Sequence, residues 1–220
     1  IGFLTKPSAS IGGDYIHFDT CPNQQSLGVT FSEMSGHGVS SSFLATIFHT
    51  QLVECLNIFT ESIAQAFYEI NLRVHDLFPE GRFASTFHTI IDAESSSMRY
   101  VKASIEPAIL YRNDGSTEVF DKGGPALGLL PSELLNKKSY IEHALPLHSG
   151  DTLFLYSAGL VEVENLAGQM LERKDIIQWV QDDRDLSPQE IADSIFRKVM
   201  SHSSGEQLMD DVSVLVIRKS

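Results

Sequence analysis

Apolar residues recur at helical spacing through residues 39–59, where Leu44, Phe48, Leu52 and Leu56 fall four apart with Phe43, Ile47, Cys55 and Phe59 beside them. That spacing marks an amphipathic helix with one buried stripe. A second helix follows, with Thr60 as its N-cap and Ile63, Phe67, Ile70, Val74 and Leu77 on one face; Pro79-Glu80-Gly81 ends it. Beyond it the pattern becomes that of strands. Phe87 to Asp92, Met98 to Ser104 and Ala108 to Arg112 are short runs rich in β-branched or aromatic residues. Asn113-Asp114-Gly115 is a hairpin turn signal leading into Glu118 to Phe120. A further strand pair is expected at Tyr140 to Ala144 and Asp151 to Tyr156, across Ser149-Gly150. Two more helices are expected, over Arg173 to Asp182 and from Pro188 to about Ser201 with Ser187 as cap, before Asp211 to Arg218 closes as a strand.

Helices grouped between runs of hairpin-linked strands indicate an α+β fold rather than βαβ alternation. Antiparallel sheets covered on their outer faces by helix pairs would bury both helix stripes. The chain has 220 residues and no internal repeat, low-complexity tract or linker, so residues 1–220 read as a single domain. It begins at Ile1 rather than Met, and is expected to be a fragment of something longer.

Composition narrows the function classes. A net charge of −13 argues against a nucleic-acid groove, which needs clustered Lys and Arg, and against contact with an anionic membrane surface. No apolar run approaches the roughly 18 residues that span a bilayer, and IGFLTKPSAS lacks the pattern of a signal peptide. The two cysteines, Cys21 and Cys55, form no CxxC motif; a reduced, cytoplasmic compartment fits, with Cys55 in the core. His143 and His148 read as surface residues.

Candidate chemistry concentrates in Leu27 to Gly38. An apolar, β-branched run ends in the carboxylate of Glu33, turns through Ser35-Gly36-His37-Gly38 and enters the first helix. A carboxylate at a strand end, beside a Gly-rich turn and a helix N-terminus, can hold a hard cation and a phosphate together. Asp14 after Gly12-Gly13 and Asp210-Asp211 before the last strand are further acidic positions of the same kind. Ser35 and Ser157 are not nucleophile elbows, because Glu33 and Leu155 stand where G-x-S-x-G needs glycine. The chain has no P-loop and no H-E-x-x-H zinc motif.

At these residues the chain resembles the PPM (protein phosphatase 2C-like) family, in its bacterial SpoIIE/RsbU-type branch. Gly12-Gly13-Asp14-Tyr15 matches its opening Gly-Gly-Asp-Tyr, and Ser35-Gly36-His37-Gly38 its Ser-Gly-His-Gly. Phe87 to Asp92 with Met98 to Tyr100, the segment GPALGLLP from Gly124 to Pro131, Ser149-Gly150-Asp151 with the following LFLYSAGLVE, and Met209 to Leu215 resemble further family segments in the same order.

The resemblance implies a four-layer α-β-β-α sandwich of two antiparallel sheets flanked by helix pairs, in the C-terminal part of a longer regulator. It implies two Mg²⁺ or Mn²⁺ ions held by carboxylates, with a metal-activated water as nucleophile and no catalytic side chain beyond it. Carried over by position, Asp14 binds one metal, Glu33 stands at the bridging aspartate with the Met34 carbonyl beside it, and Asp210 binds the other metal. Asp211, His37 and Gly36 fall around these ligands; two roles stand open for His37, general acid for the leaving hydroxyl or hydrogen bond to the turn at the helix start, and its place in the Gly-rich turn favours the second. The implied substrate is phosphoserine or phosphothreonine on a small anti-sigma-factor antagonist protein, and regulators of this branch often form homodimers.

Three departures qualify the carry-over. Ala158 stands where the family has a metal-binding aspartate, and a methyl group cannot ligate. Glu33 is one methylene longer than aspartate, which moves its oxygens about 1.5 Å further from the backbone. Lys102-Ala103-Ser104-Ile105 replaces the branch's Asn-Ala-Gly-His. The expectation is a metal-dependent Ser/Thr phosphatase domain of a partner-switching pathway, weak or conditional, with one metal or none tightly bound. The alternative is a pseudophosphatase that binds a phosphoprotein without hydrolysing it.

Overall fold

The computed structural model describes residues 1–20, 26–204 and 208–220; Cys21 lies outside them. In chain order the described elements are β1 (Gly2–Lys6), β2 (Asp14–Thr20), β3 (Ser26–Met34), α1 (Gly38–Ile58), α2 (Ile63–Leu77), β4 (Ala84–Asp92), β5 (Ser97–Ala103), β6 (Ala108–Tyr111), β7 (Thr117–Phe120), β8 (His143–Pro146), β9 (Thr152–Tyr156), α3 (Ala158–Val161), α4 (Arg173–Asp182), α5 (Pro188–His202) and β10 (Val212–Arg218). A short 3₁₀ turn spans Ser132–Leu134. The class is α+β, with two antiparallel five-stranded sheets, each carrying its own helix pair. They form two compact units: Ile1–Gly12, Glu106–Asp121 and His148–Ser220 make the first, Gly13–Ile105 and Lys122–Leu147 the second.

The first unit holds the sheet ordered β1-β10-β9-β6-β7. All five residues of β9 are buried, so β9 must be covered on both faces and paired on both edges. It lies between β10 and β6. Ile176 and Val180 of α4 and Ile191, Ile195 and Val199 of α5 pack with Phe154, Tyr156, Val212, Val214 and Val216 in one core. Ser187 caps α5 as expected, in a capping box with Glu190. Asp151, 1% exposed, ties two turns together by accepting from His148 N–H, Asn113 N–H and the Arg112 guanidinium. Burial by itself would raise its carboxyl; those three donors outweigh it and hold the group below the usual aspartate value.

The second unit holds the sheet ordered β2-β3-β4-β5-β8. Leu44, Phe48, Leu52 and Cys55 form the buried stripe of α1 and pack with Phe67, Ile70 and Val74 of α2. The stripe passes to Cys55 rather than Leu56, because repeated steps of four overrun the helical repeat of about 3.6 residues. Phe43 is left 67% exposed. The N-cap of α2 is Ser62, not Thr60: its hydroxyl accepts from Gln65 N–H at 3.2 Å, while Glu142 accepts from Ile63 N–H at 2.8 Å. Thr60 is two residues short of reaching those amides. Buried Asn71 of α2 accepts from Gly128 N–H and the Tyr140 hydroxyl and donates to Leu130 carbonyl, which fixes the long segment after β7.

The expected hairpin of Tyr140 to Ala144 with Asp151 to Tyr156 does not form. β8 pairs with β5, and β9 belongs to the other sheet. Alternate residues of β8 are exposed, as suits an edge strand, whereas β9 is buried throughout and requires the long, apolar β10 beside it. β1 and β2 are strands that the sequence pattern does not announce. Among the described residues no helix is long and apolar enough to cross a membrane.

His88 of β4 is 2% exposed and shares a hydrogen bond with the Thr30 hydroxyl at 2.8 Å. Burial, reinforced by His17 and Arg99, pushes its imidazole from 6.5 down to about 3. Between those values the unfolded chain binds more protons than the folded one, so stability rises with pH across the window and is lost as pH falls through it. Thermal unfolding followed from pH 7 to pH 4 should show a steeper fall in Tm for the wild type than for His88→Gln.

Candidate functional site

Asp14 opens β2 and Glu33 is the penultimate residue of β3, and the antiparallel register sets them directly opposite each other. Directly paired residues share a sheet face with Cβ atoms roughly 4.5–5.5 Å apart. Two half-buried carboxylates are therefore held side by side. Like charges so placed repel unless cationic charge joins them. Oxygen donors of this hardness suit Mg²⁺ or Mn²⁺ rather than a soft thiophilic metal.

The chain leaves β3 at Met34 and makes the tight turn that starts α1. Ser35 fastens this turn to the chain before β4: its N–H donates to Phe83 carbonyl at 2.9 Å, and its hydroxyl accepts from Phe83 N–H at 3.0 Å. Gly36 has φ +86°, and a Cβ there would stand 2.4 Å from Arg82 Nη1. Arg82 in turn donates to Ser35 carbonyl at 3.1 Å. Gly36 thus serves backbone geometry and the close passage of a guanidinium. His37 is the N-cap residue of α1, but its ring makes no capping hydrogen bond and is exposed, contrary to the turn-binding role expected of it. An imidazole is a poor substitute for the short Ser or Asp side chains that reach N2 and N3 amides from that position.

The first unit places the remaining positions. Asp210 is half-buried and accepts from Asp211 N–H at 2.8 Å. Asp211 is 3% exposed and accepts from both N–H and hydroxyl of Ser8, at 2.8 and 3.1 Å. A Cβ on Gly12 would lie 2.1 Å from its carboxylate, and one on Gly159 would lie 2.1 Å from its carbonyl. Both glycines are demanded by close approach to Asp211. Ser157 locks the same region, donating to Asp211 carbonyl at 3.1 Å and accepting from Ser213 N–H at 2.8 Å. Ala158 follows as the first residue of α3, so its methyl group sits in the segment pinned against Asp210-Asp211.

The second unit therefore joins Asp14, Glu33 and the Met34 backbone, and the first joins Asp210, Asp211 and Ala158. The Asp14–Glu33 pair fits a hard divalent cation by donor type. On the side of Asp210, position 158 adds no carboxylate. Among the described residues no group of three or more His, Cys, Asp or Glu side chains is set to hold a metal. Sequence reasoning passed over Arg82 and Ser8 and weighed Ser157 only as a nucleophile elbow; the roles of all three arise from contacts distant along the chain. The position of Arg82 directly after Pro79-Glu80-Gly81 carried no signal that its side chain folds back over Ser35.

Known proteins resemble the chain in sequence and in fold. The model of the family Stage II sporulation protein E (SpoIIE) matches residues 23–220. The chain is 23% identical over 219 residues to "Phosphoserine phosphatase RsbU" of Bacillus subtilis, covering all of this chain and 63% of that protein, so it spans less than two thirds of that relative's length. The SiaA-PP2C domain of Pseudomonas aeruginosa has the same fold, with a TM-score of 0.87 at 14% identity over 99% of this chain and 85% of that one. The PP2C phosphatase domain of SpoIIE from Bacillus subtilis, solved with a fragment of its regulatory domain, aligns with a TM-score of 0.79 at 21% identity over 99% of this chain and 62% of that one.

Gly36→Ala tests the turn. A left-handed non-glycine residue costs about 1–2 kcal/mol, before any displacement of Arg82. For a chain of this size calorimetry should record a Tm lower by roughly 2–8 °C. An unchanged Tm would show that the turn tolerates a Cβ.

Proposed function

Because the chain belongs to the Stage II sporulation protein E (SpoIIE) family, we propose that it is a metal-dependent protein serine/threonine phosphatase domain whose metal site has lost a ligand. The observation that carries this reading is the pairing of Asp14 with Glu33 on one sheet face at the entrance to α1. Its substrate on this reading is a phosphorylated antagonist protein of a bacterial partner-switching pathway, acted on in the cytoplasm. The likeness to a phosphoserine phosphatase named RsbU supports that choice. Self-association as a homodimer belongs to the same proposal.

Asp14, Glu33 and the Met34 carbonyl would hold one Mg²⁺ or Mn²⁺, and Asp210 would contribute to a second. Such an ion supplies positive charge for phosphoryl oxygens and acidifies a water. The chain's own residues do the positioning. The β2–β3 register fixes the two carboxylates, and Ser35 and Arg82 brace the turn behind them. The first turn of α1 carries no acidic residue, so its amide dipoles keep a partial positive charge that favours an anion. Asp211 keeps Asp210 in place through Ser8 rather than reaching for a ligand itself.

Ala158 limits activity by leaving Asp210 without a carboxylate from the start of α3, and Glu33 adds a longer arm. Changes around a metal site cost about 10- to 100-fold in affinity or activity even when a ligand is not lost outright. The same feature supports the second reading, a pseudophosphatase that recognises a phosphoprotein and leaves it intact.

Phosphate release from a phosphoserine peptide in the presence of Mn²⁺ separates the two. The double variant Ala158→Asp, Glu33→Asp should exceed wild type by about 10- to 100-fold, and Asp14→Asn should abolish release in both backgrounds. If neither protein releases phosphate and titration calorimetry with Mn²⁺ shows no heat for either, the phosphatase reading is wrong. In thermal unfolding, Mn²⁺ should raise the Tm of wild type and leave that of Asp14→Asn unchanged, since an ion that binds only the folded chain stabilises it.

A further inference from the structure

Within the first unit a cleft of about 520 Å³ runs along α3 and the turn after it to the residues that precede β10. Its walls combine two chemistries. Met170 and Met209 line it at 56% and 85% exposure, and Leu166, 76% exposed, stands on the turn between Glu164 and Met170. Among the described residues the carboxylates of Glu162, Glu164 and Asp210 line it as well, and no Lys or Arg does. Among the described residues the side chains of Glu162 and Glu164 make no hydrogen bond or ion pair.

The turn that walls the cleft is braced by hydrogen bonds. Glu164 and Met170 bridge across the turn. Inside it Asn165 Oδ1 accepts from Ala167 N–H at 2.9 Å and Gln169 N–H at 3.0 Å. His202 of α5 donates from Nε2 to Gln169 carbonyl at 2.9 Å. A braced turn that holds long apolar side chains in water forfeits burial free energy that a partner could recover. Methionine suits such a surface because its unbranched thioether adapts to varied shapes.

We propose that this cleft docks the segment of a phosphoprotein substrate flanking its phosphorylated residue, and that it selects segments carrying basic residues and a long apolar side chain. The inference rests on the phosphatase reading for its placement, since Asp210 lies in the cleft wall. Charge complementarity names the occupant: in a chain of net charge −13, unpaired carboxylates beside Asp210 repel a phosphorylated segment unless that segment brings its own cations. The exposed Met side chains meet the apolar residue of the same segment.

The test uses two fluorescein-labelled phosphoserine peptides, one with two Arg and a Leu beside the phosphoserine, the other with Glu and Ser in their places. Binding is read by fluorescence anisotropy in Mn²⁺, and turnover of p-nitrophenyl phosphate, which has no flanking segment, is read alongside. Wild type should prefer the Arg/Leu peptide by about 10-fold or more, the yield of two exposed ion pairs and one partly buried apolar contact. Glu162→Lys with Glu164→Lys should erase most of that preference, and Met170→Ser should reduce it by about 3- to 5-fold. Turnover of p-nitrophenyl phosphate should stay at the wild-type level in all variants. Equal affinity for both peptides, no binding of either, or a preference untouched by the variants overturns the proposal. It is also overturned if sedimentation shows the variants changing self-association while peptide binding stays constant, because the occupant is then a second copy of the chain. A retained, variant-sensitive preference with no turnover of any phosphate ester leaves docking standing and removes the phosphatase reading.

Discussion

The register of β3 governs the second unit. Its nine residues pair with β4 from Ser26 to Met34, and those from Leu27 to Glu33 pair also with β2. Side chains alternate between faces with a period of two, so a slip of one residue would exchange the faces of Val29 and Phe31 with those of Thr30 and Ser32. It would also set Glu33 opposite a neighbour of Asp14. The polar pairs Thr30–His88 and Ser32–Thr86, both at 2.8 Å, secure this register on the helix-covered face. The adjacency of Asp14 and Glu33 is thus imposed by packing that neither carboxylate can relieve by sliding.

In the first unit a small polar knot has a comparable effect. Asp211 is gripped through its carboxylate by Ser8 and through its carbonyl by Ser157, and Gly12 and Gly159 leave room for it. Buried hydrogen bonds of this kind are expensive to leave unmade, so the segment holding Ala158 cannot drift from Asp210. Ala158 thus occupies a fixed place, which suits either reading proposed above, a slowed enzyme or a binding module.

The acidic balance of the chain gains a function in this light. A charge of −13 spread over a surface mainly confers solubility. Where carboxylates gather beside exposed methionines without a counter-cation, as along the α3 cleft, the same charge becomes a selector of partners.

Much was legible in the sequence. Periodicity located α1, α2, α4 and α5 and the hairpins β4–β5 and β6–β7, because amphipathic spacing and turn residues are local properties. The Gly-Gly-Asp and Ser-Gly-His-Gly segments announced the family, since identity at a position needs no coordinates. Tertiary structure decided what depends on distant partners. It sent β8 and β9 to different sheets, moved the cap of α2 from Thr60 to Ser62, and denied His37 its capping bond. It brought Arg82 onto Ser35 and Ser8 onto Asp211, across 47 and 203 residues of chain. Local spacing states which residues share a face; only the folded chain states which faces meet, because strand partners and hydrogen-bond partners are chosen by burial and geometry rather than by proximity in sequence.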